Sequence, residues 1–132
     1  MGLEIRERSV QYYLLPSGPP APFGVWRDSL RDPLARVAVL ARIARMRGGN
    51  FRDSRPIGEG ASENRIHLGP GYRIYYGADG DKIILLCGGD KSTQDADIAK
   101  AKQFWSDNKK RTKKNAQKRE LQRRPARRSA KR

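Results

Sequence analysis

The chain has 132 residues, with 29 Lys/Arg against 14 Asp/Glu, a formal net charge of +15, one cysteine and one histidine. That length supports a single domain with a modest core, and a lone cysteine excludes an internal disulfide. No run of eighteen apolar residues is present to span a membrane, and the charged opening "MGLEIRERSVQYYLL" lacks the apolar block of a signal peptide, so a cytoplasmic protein is expected.

"LEIRERSVQYYLL" is rich in β-formers and predicts a first strand. "PSGPPAP" breaks it. "FGVWRDSLRD" predicts a short helix, with Phe23, Trp26 and Leu30 at i, i+3 and i+7. Asp32-Pro33 has the form of an N-cap followed by proline at the first helical position, so a second helix is expected from Pro33 to about Arg47. Val37, Leu40, Ala41 and Ala44 recur on one side of it, with Ile43 flanking, and are expected to face the core. Gly48-Gly49 stops it. "NFRDSRPIGEGASE" is expected to be a polar connection.

Three strands follow, "ENRIHL", "YRIYYG" and "KIILLC", joined by Gly69-Pro70-Gly71 and by an "ADGD" hairpin turn. Ser92 with Asp95 can cap a final helix, "TQDADIAKAKQFWSDNKK", whose apolar positions include Ile98, Ala101, Phe104 and Trp105. Pro125 ends it at the latest. The order β-α-α-β-β-β-α predicts an α+β fold, a small and largely antiparallel sheet packed by helices.

The charge is unevenly placed. Residues 109–132 hold 13 Lys/Arg and one Glu, whereas residues 1–108 are nearly balanced, with 16 against 13. The chain therefore divides into a domain over 1–108 and a basic tail over 109–132, a helical extension or disordered. Such a tail attracts polyanions of any kind.

"LLCGGDKSTQ" has the outline of a phosphate-binding loop but not its spacing. Asp90 stands where the second glycine must precede the lysine. Cys87, inside "IILLC", is expected to be a buried and inert thiol.

Strand alternation sorts the remaining polar residues. Ile66 and Leu68, with Tyr72, Ile74 and Tyr76, make one apolar set. Arg65, His67, Arg73 and Tyr75 then share the opposite, solvent-facing side. A three-residue Gly69-Pro70-Gly71 loop pairs His67 with Arg73 and Arg65 with Tyr75. Lys91 leaves the next strand nearby. Arginines offer forked donors to phosphate oxygens, an imidazole moves protons near neutral pH, and a tyrosine can stack on a base. One histidine and one buried cysteine, with no carboxylate cluster at ligand spacing, give no reason to expect a metal or other cofactor.

"GEGASENRIHLGPGYRIYYGADGDKIILLCGGDKSTQDADIAKAK" resembles the RelE/ParE toxin superfamily, specifically its HigB-like addiction module killer proteins. The resemblance extends back through "PFGVWRDSLRDPLARVAVLARIARMRGGNFRDSRPIGEG" and covers roughly residues 3–108. It implies the toxin of a type II toxin–antitoxin pair. Better-known members are metal-independent endoribonucleases that cut mRNA on the ribosome and so inhibit translation. The implied partners are the ribosome, mRNA and a cognate helix-turn-helix antitoxin.

The resemblance places Arg73 at a phosphate-contacting position, Arg65 and His67 on the preceding strand among basic residues, and Lys91 near a further basic position. Arg73 and Arg65 would stabilise the phosphorane, His67 would transfer a proton and Lys91 would stabilise charge. Tyr75 is a substitute, by geometry, for a C-terminal tyrosine that this sequence lacks. Arg65, Arg73 and Lys91, with Lys109, Lys110, Arg111, Lys113 and Lys114 of the tail, make the expected RNA-binding set. Two alternatives stand beside this reading: a ParE-like toxin that binds gyrase or another protein without catalysis, and a basic nucleic-acid-binding module.

Overall fold

The apolar run "KIILLC" becomes an interior strand with side chains buried on both of its faces. The computed structural model describes residues 6–123. Its elements in chain order are β1 (Ser9–Tyr12), α1 (Pro22–Ser29), α2 (Pro33–Arg47), β2 (Ser54–Gly58), β3 (Ala61–Ile66), β4 (Tyr72–Asp79), β5 (Lys82–Gly89), a 3₁₀ turn (Lys91–Thr93) and α3 (Gln94–Gln122). The strands form one mixed sheet in the order β1-β5-β4-β3-β2. β1 runs parallel to β5, and the remaining neighbours are antiparallel. The α+β class expected from the sequence is what the chain adopts.

Each face of the sheet is covered, and each has its own core. On one face Phe23 of α1 and Val39 and Met46 of α2 pack on Ile66, Ile74, Tyr76, Ile83 and Leu85. On the other, Ala101 and Trp105 of α3 pack with Tyr13, Ala61, Tyr75, Ile84, Leu86 and Cys87. Removing this apolar surface from water is the main stabilising term, about 25 cal/mol per Å². A bulge where β5 passes Tyr75 and Tyr76 turns both Leu86 and Cys87 toward α3. Burial there, with Asp97 nearby, pushes the Cys87 thiol up to about 12, as expected of an inert cysteine.

Local signals set several boundaries. The Asp32 carboxylate accepts the Leu34 amide at 2.9 Å and Pro33 opens α2, a cap worth about 1 kcal/mol. The β4–β5 hairpin turns through Gly80-Asp81, with Gly80 at φ +60°. Gly88 and Gly89 lie within β5 and do not turn the chain out of it. A Cβ at Gly88 would come within 2.2 Å of the Trp26 ring, and one at Gly89 within 1.8 Å of the Asp97 carboxylate. The two glycines therefore let α1 and α3 approach the strand from opposite sides.

Five expectations are corrected. "SRPIG", within the expected polar connection, is an edge strand, β2. It tolerates Pro56 because a terminal strand pairs on one side only. The inward side of α2 is Ala35, Val39, Ile43 and Met46. Leu34, Val37 and Leu40 remain 68, 64 and 57 % exposed, and Ala41 and Ala44 are exposed too. The helix is apolar on two sides, so periodicity alone does not choose between them. The cap before the last helix is Asp90, which accepts Ser92 N at 2.8 Å in a capping box with Thr93. The β3–β4 register also differs: Arg65 pairs with Arg73 and Glu63 with Tyr75. The connection is five residues long, 67–71, and His67 and Leu68 lie beyond the end of β3. Finally, the face that carries Arg65, Arg73 and Tyr75 is only partly open to solvent: α3 packs over it and buries Tyr75 and Arg73, while Arg65 stays partly exposed.

α3 continues without a break past Lys109 to Gln122, so the first half of the basic tail is helical. The first strand is shorter than expected, beginning at Ser9 and ending at Tyr12, and the expected stop at Pro125 lies outside the described residues. No helix among the described residues is long and apolar enough to cross a membrane.

Candidate anion-binding cleft

The site is built around a residue that the sequence reading did not single out. Glu63 points from β3 toward α3 and is completely buried. A lone buried carboxylate would be costly, and this one is surrounded by donors. Its Oε1 accepts from Arg55 Nε at 3.0 Å and Arg65 Nε at 3.2 Å. Its Oε2 accepts from Gln94 Nε2 at 3.0 Å and the Tyr75 hydroxyl at 3.1 Å. Arg73 Nε stands 3.5 Å from Oε2 without a bonding geometry. Burial alone would raise the pKa of Glu63. The hydrogen bonds from Gln94, Arg65, Arg55 and Tyr75 outweigh it and hold the carboxyl below its ordinary value.

Arg73 is held from two sides. Its Nη1 donates to the Gly71 carbonyl at 2.7 Å, and its side chain is only 7 % exposed. Gly71 has φ +80°, which favours glycine, and a Cβ there would stand 3.4 Å from Arg73 Nη1. The Gly-Pro-Gly loop thus shapes the arginine's seat. The same loop reaches the 3₁₀ turn, where Lys91 N donates to Pro70 O at 3.4 Å. This contact fixes Lys91, an exposed residue, beside the loop.

Arg65, His67, Gly71, Arg73, Lys91 and Gln94 line one open cleft of about 410 Å³. Four of the five residues singled out from the sequence are therefore gathered there, although they come from β3, the loop after it, β4 and the 3₁₀ turn. Arg65 keeps 37 % of its side chain exposed while bound to Glu63. His67 is 71 % exposed, and its Nε2 lies 3.7 Å from Asp53 Oδ1. Three arginines share the single charge of Glu63, so the cleft keeps an excess of positive charge before Lys91 is counted.

Tyr75 is the exception. It is fully buried under the cleft, and its hydroxyl donates to Glu63. Burial, then the Glu63 charge, raises its proton affinity far above that of an ordinary tyrosine. It can neither stack on a base nor exchange a proton at neutral pH. The expectation of an exposed, catalytic Tyr75 is corrected: it is a donor that positions Glu63.

On the other face of β3, Asn64 is buried with both ends of its amide bonded. Its Oδ1 accepts Arg42 Nη1 at 2.8 Å, and its Nδ2 donates to Arg52 O at 3.0 Å and Ser54 Oγ at 2.8 Å. Arg42 Nη1 also reaches the Arg65 carbonyl at 2.5 Å. This network ties α2 and β2 to the strand that carries Arg65.

Two of the expected RNA-binding residues in the tail are committed to the body. Lys109 Nζ donates to Glu59 O at 2.8 Å and sits 5.8 Å from the Trp105 ring centroid. Arg111 pairs with Asp107 at 2.7 Å and lies over the Tyr13 ring. Lys110, Lys113 and Lys114 are exposed on the same helix and do not line the cleft.

The arrangement suits a small anion or a phosphate group. It offers two arginines, a lysine and an imidazole, and the carboxylate buried beneath it, Glu63, is ionised and engaged. No group of three or more His, Cys, Asp or Glu among the described residues could hold a metal ion. Gln94 and Glu63 were both missed. The available signal for Glu63 was its strand parity, which it shares with Arg65 and, across the hairpin, with Arg73 and Tyr75.

No family model matches the chain, and no solved structure matches it. It is 47 % identical over 81 residues to an uncharacterized protein of Haemophilus influenzae, an alignment covering 61 % of this chain and 82 % of that relative. At that identity over most of the relative's length, the chain belongs to the same protein family as the Haemophilus influenzae protein.

Proposed function

We propose that the cleft binds a phosphodiester of RNA and that the chain is the toxin of a type II toxin–antitoxin pair, a metal-independent endoribonuclease that cuts mRNA on the ribosome. One observation carries the reading: Arg65, His67, Arg73 and Lys91 converge on one cleft whose positive charge Glu63 only partly cancels. A protein that only docked on a partner would have little use for a preorganised cationic cleft above a buried carboxylate. The resemblance of the sequence to HigB-like toxins of the RelE/ParE superfamily supports the same reading.

In this mechanism the 2′-hydroxyl of one nucleotide attacks the adjacent phosphorus. The P–O5′ bond breaks, leaving a 2′,3′-cyclic phosphate and a 5′-hydroxyl. Arg73 and Arg65 face the charge that gathers on the phosphorane, where preorganised donors act most strongly. Lys91 adds a cation from beside the Gly-Pro-Gly loop. His67 is the imidazole available to move a proton. Glu63 holds the arginines in place and takes no proton. The exposed lysines of α3 bind ribosomal RNA through its phosphates, and a helix-turn-helix antitoxin neutralises the toxin.

Lys91 gives the clean test, because it is exposed. Primer extension on mRNA after induction should show cuts that vanish when translation is blocked. Lys91→Ala should reduce cutting by about 10²–10³-fold with an unchanged melting temperature. If the parent protein arrests growth without cutting mRNA, and Lys91→Ala arrests it equally, the nuclease reading fails and a protein-binding toxin of the ParE kind replaces it.

A further inference from the structure

We propose that the outward face of α2 is a docking surface for an acidic amphipathic helix of a separate protein. The proposal is independent of the chemistry in the cleft. The side of α2 opposite the core carries Leu34, Val37 and Leu40 at 68, 64 and 57 % exposure, with exposed Ala41 and Ala44 between them. Isolated surface leucines need no explanation, but a stripe at i, i+3, i+6, i+7 and i+10 does. It is a second apolar face on a helix whose first face is already filled by Ala35, Val39, Ile43 and Met46. From Leu34 to Ala44 it runs about 15 Å, three helical turns.

Charge names the occupant. At 100° per residue, Arg45 borders the stripe beside Leu34, and Arg36 and Arg47 border it beside Leu40. All three are exposed, and none makes an ion pair among the described residues. Arg42, the remaining charge of α2, is turned inward to Asn64. No acidic residue lies between 33 and 47. An apolar seam bordered on both sides by unpaired arginines complements a helix with apolar residues at i, i+3/i+4 and i+7 and acids on its flanks.

Two other occupants fit less well. A second copy of the chain would set Arg36, Arg45 and Arg47 against themselves. An anionic membrane would favour bulky interfacial aromatics, whereas this stripe has none. Ala41 and Ala44 instead leave hollows between larger side chains, which the ridge of a partner helix can enter.

The test uses the full chain and a fluorescein-labelled synthetic peptide of about 20 residues, long enough to fold on contact, with leucines on one face and glutamates beside them. A scrambled peptide of the same composition and a lysine-flanked peptide are the controls. Phosphatidylglycerol vesicles and sedimentation of the protein alone test the other occupants. The acidic amphipathic peptide should bind, the controls should bind at least about tenfold more weakly, and the triple variant L34S/V37S/L40S should lose about tenfold or more in affinity. The variant's melting temperature should not fall, because the replaced side chains are exposed. The proposal is overturned if the designed peptide does not bind, if scrambled and designed peptides bind alike, or if the triple variant binds undiminished. Vesicle binding or dimerisation that the triple variant abolishes, in place of peptide binding, would assign the face to lipid or to self-association instead.

Discussion

Arg73 Nε stands 3.5 Å from the Oε2 of Glu63 beneath the cleft, and the Glu63 carboxylate is wholly out of solvent. The two residues lie on neighbouring strands, and each limits where the other can go. Glu63 keeps Arg65 and Arg73 on the same side of the sheet. The arginines, with Arg55, Gln94 and Tyr75, keep its charge tolerable away from water. The cleft's positive character therefore depends on a negative residue.

Replacing that residue should be expensive. Glu63→Gln leaves three guanidinium groups without their shared counter-charge, and breaking a buried charge network of this kind costs about 3 kcal/mol or more. Chemical denaturation of parent and variant measures it. The pH dependence follows from the lowered pKa of Glu63. A carboxyl whose folded value is depressed contributes stability that is fully present above its unfolded value. That contribution is lost as pH falls below about 4.5 toward the folded value. The parent should lose stability through this acid window more steeply than Glu63→Gln. Parallel pH profiles for the two proteins would show that Glu63 is not the group titrating.

Arg73→Ala should now affect both stability and activity. The side chain is 7 % exposed and held by Gly71 O, so this is not the open surface position that strand alternation suggested. Loss of about 2 kcal/mol is expected, along with loss of RNA cleavage. Cleavage assayed well below the variant's melting temperature separates the two effects. A variant as stable as the parent would mean that the Arg73–Glu63 contact contributes little.

Tyr75→Phe removes a hydroxyl that donates to Glu63 and cannot titrate near neutrality. It should cost roughly 1.5 kcal/mol, as expected for a hydrogen bond to a charged group. Cleavage of RNA and its pH profile should be unchanged at temperatures where the variant is folded. A shifted pH profile would return Tyr75 to a role in proton transfer.

The basic helix should divide functionally near Thr112. Truncation after Thr112 keeps the Lys109–Glu59 and Arg111–Asp107 contacts and should leave the melting temperature nearly unchanged. It should weaken binding to ribosomes or RNA and reduce the salt slope, since charges that neutralise phosphates are removed. Truncation before Lys109 should cost about 1–2 kcal/mol more, because the packing of Lys109 on Trp105 and of Arg111 on Tyr13 is also lost. Equal melting temperatures for both truncations would show those contacts to be idle.

What the sequence determined by itself was local. Asp32 and Pro33 start α2 because a carboxylate and a preset φ act within one helical turn. Gly80 turns the β4–β5 hairpin because the turn needs a positive φ. Strand parity set Arg65, Arg73 and Tyr75 on one face. That result survived a wrong register, because slipping a hairpin by two residues preserves every face. The tertiary structure decided what faces what. The loop of five residues, not three, moved His67 off the strand and put Glu63 where it could bind the arginines. α3, distant in sequence, covered a face that alternation left open and so buried Tyr75. α2 had two apolar sides, and only the surfaces competing to cover the sheet determined which was buried. Short-range signals carry period and turn chemistry; burial depends on which distant surface arrives, and no local pattern encodes that.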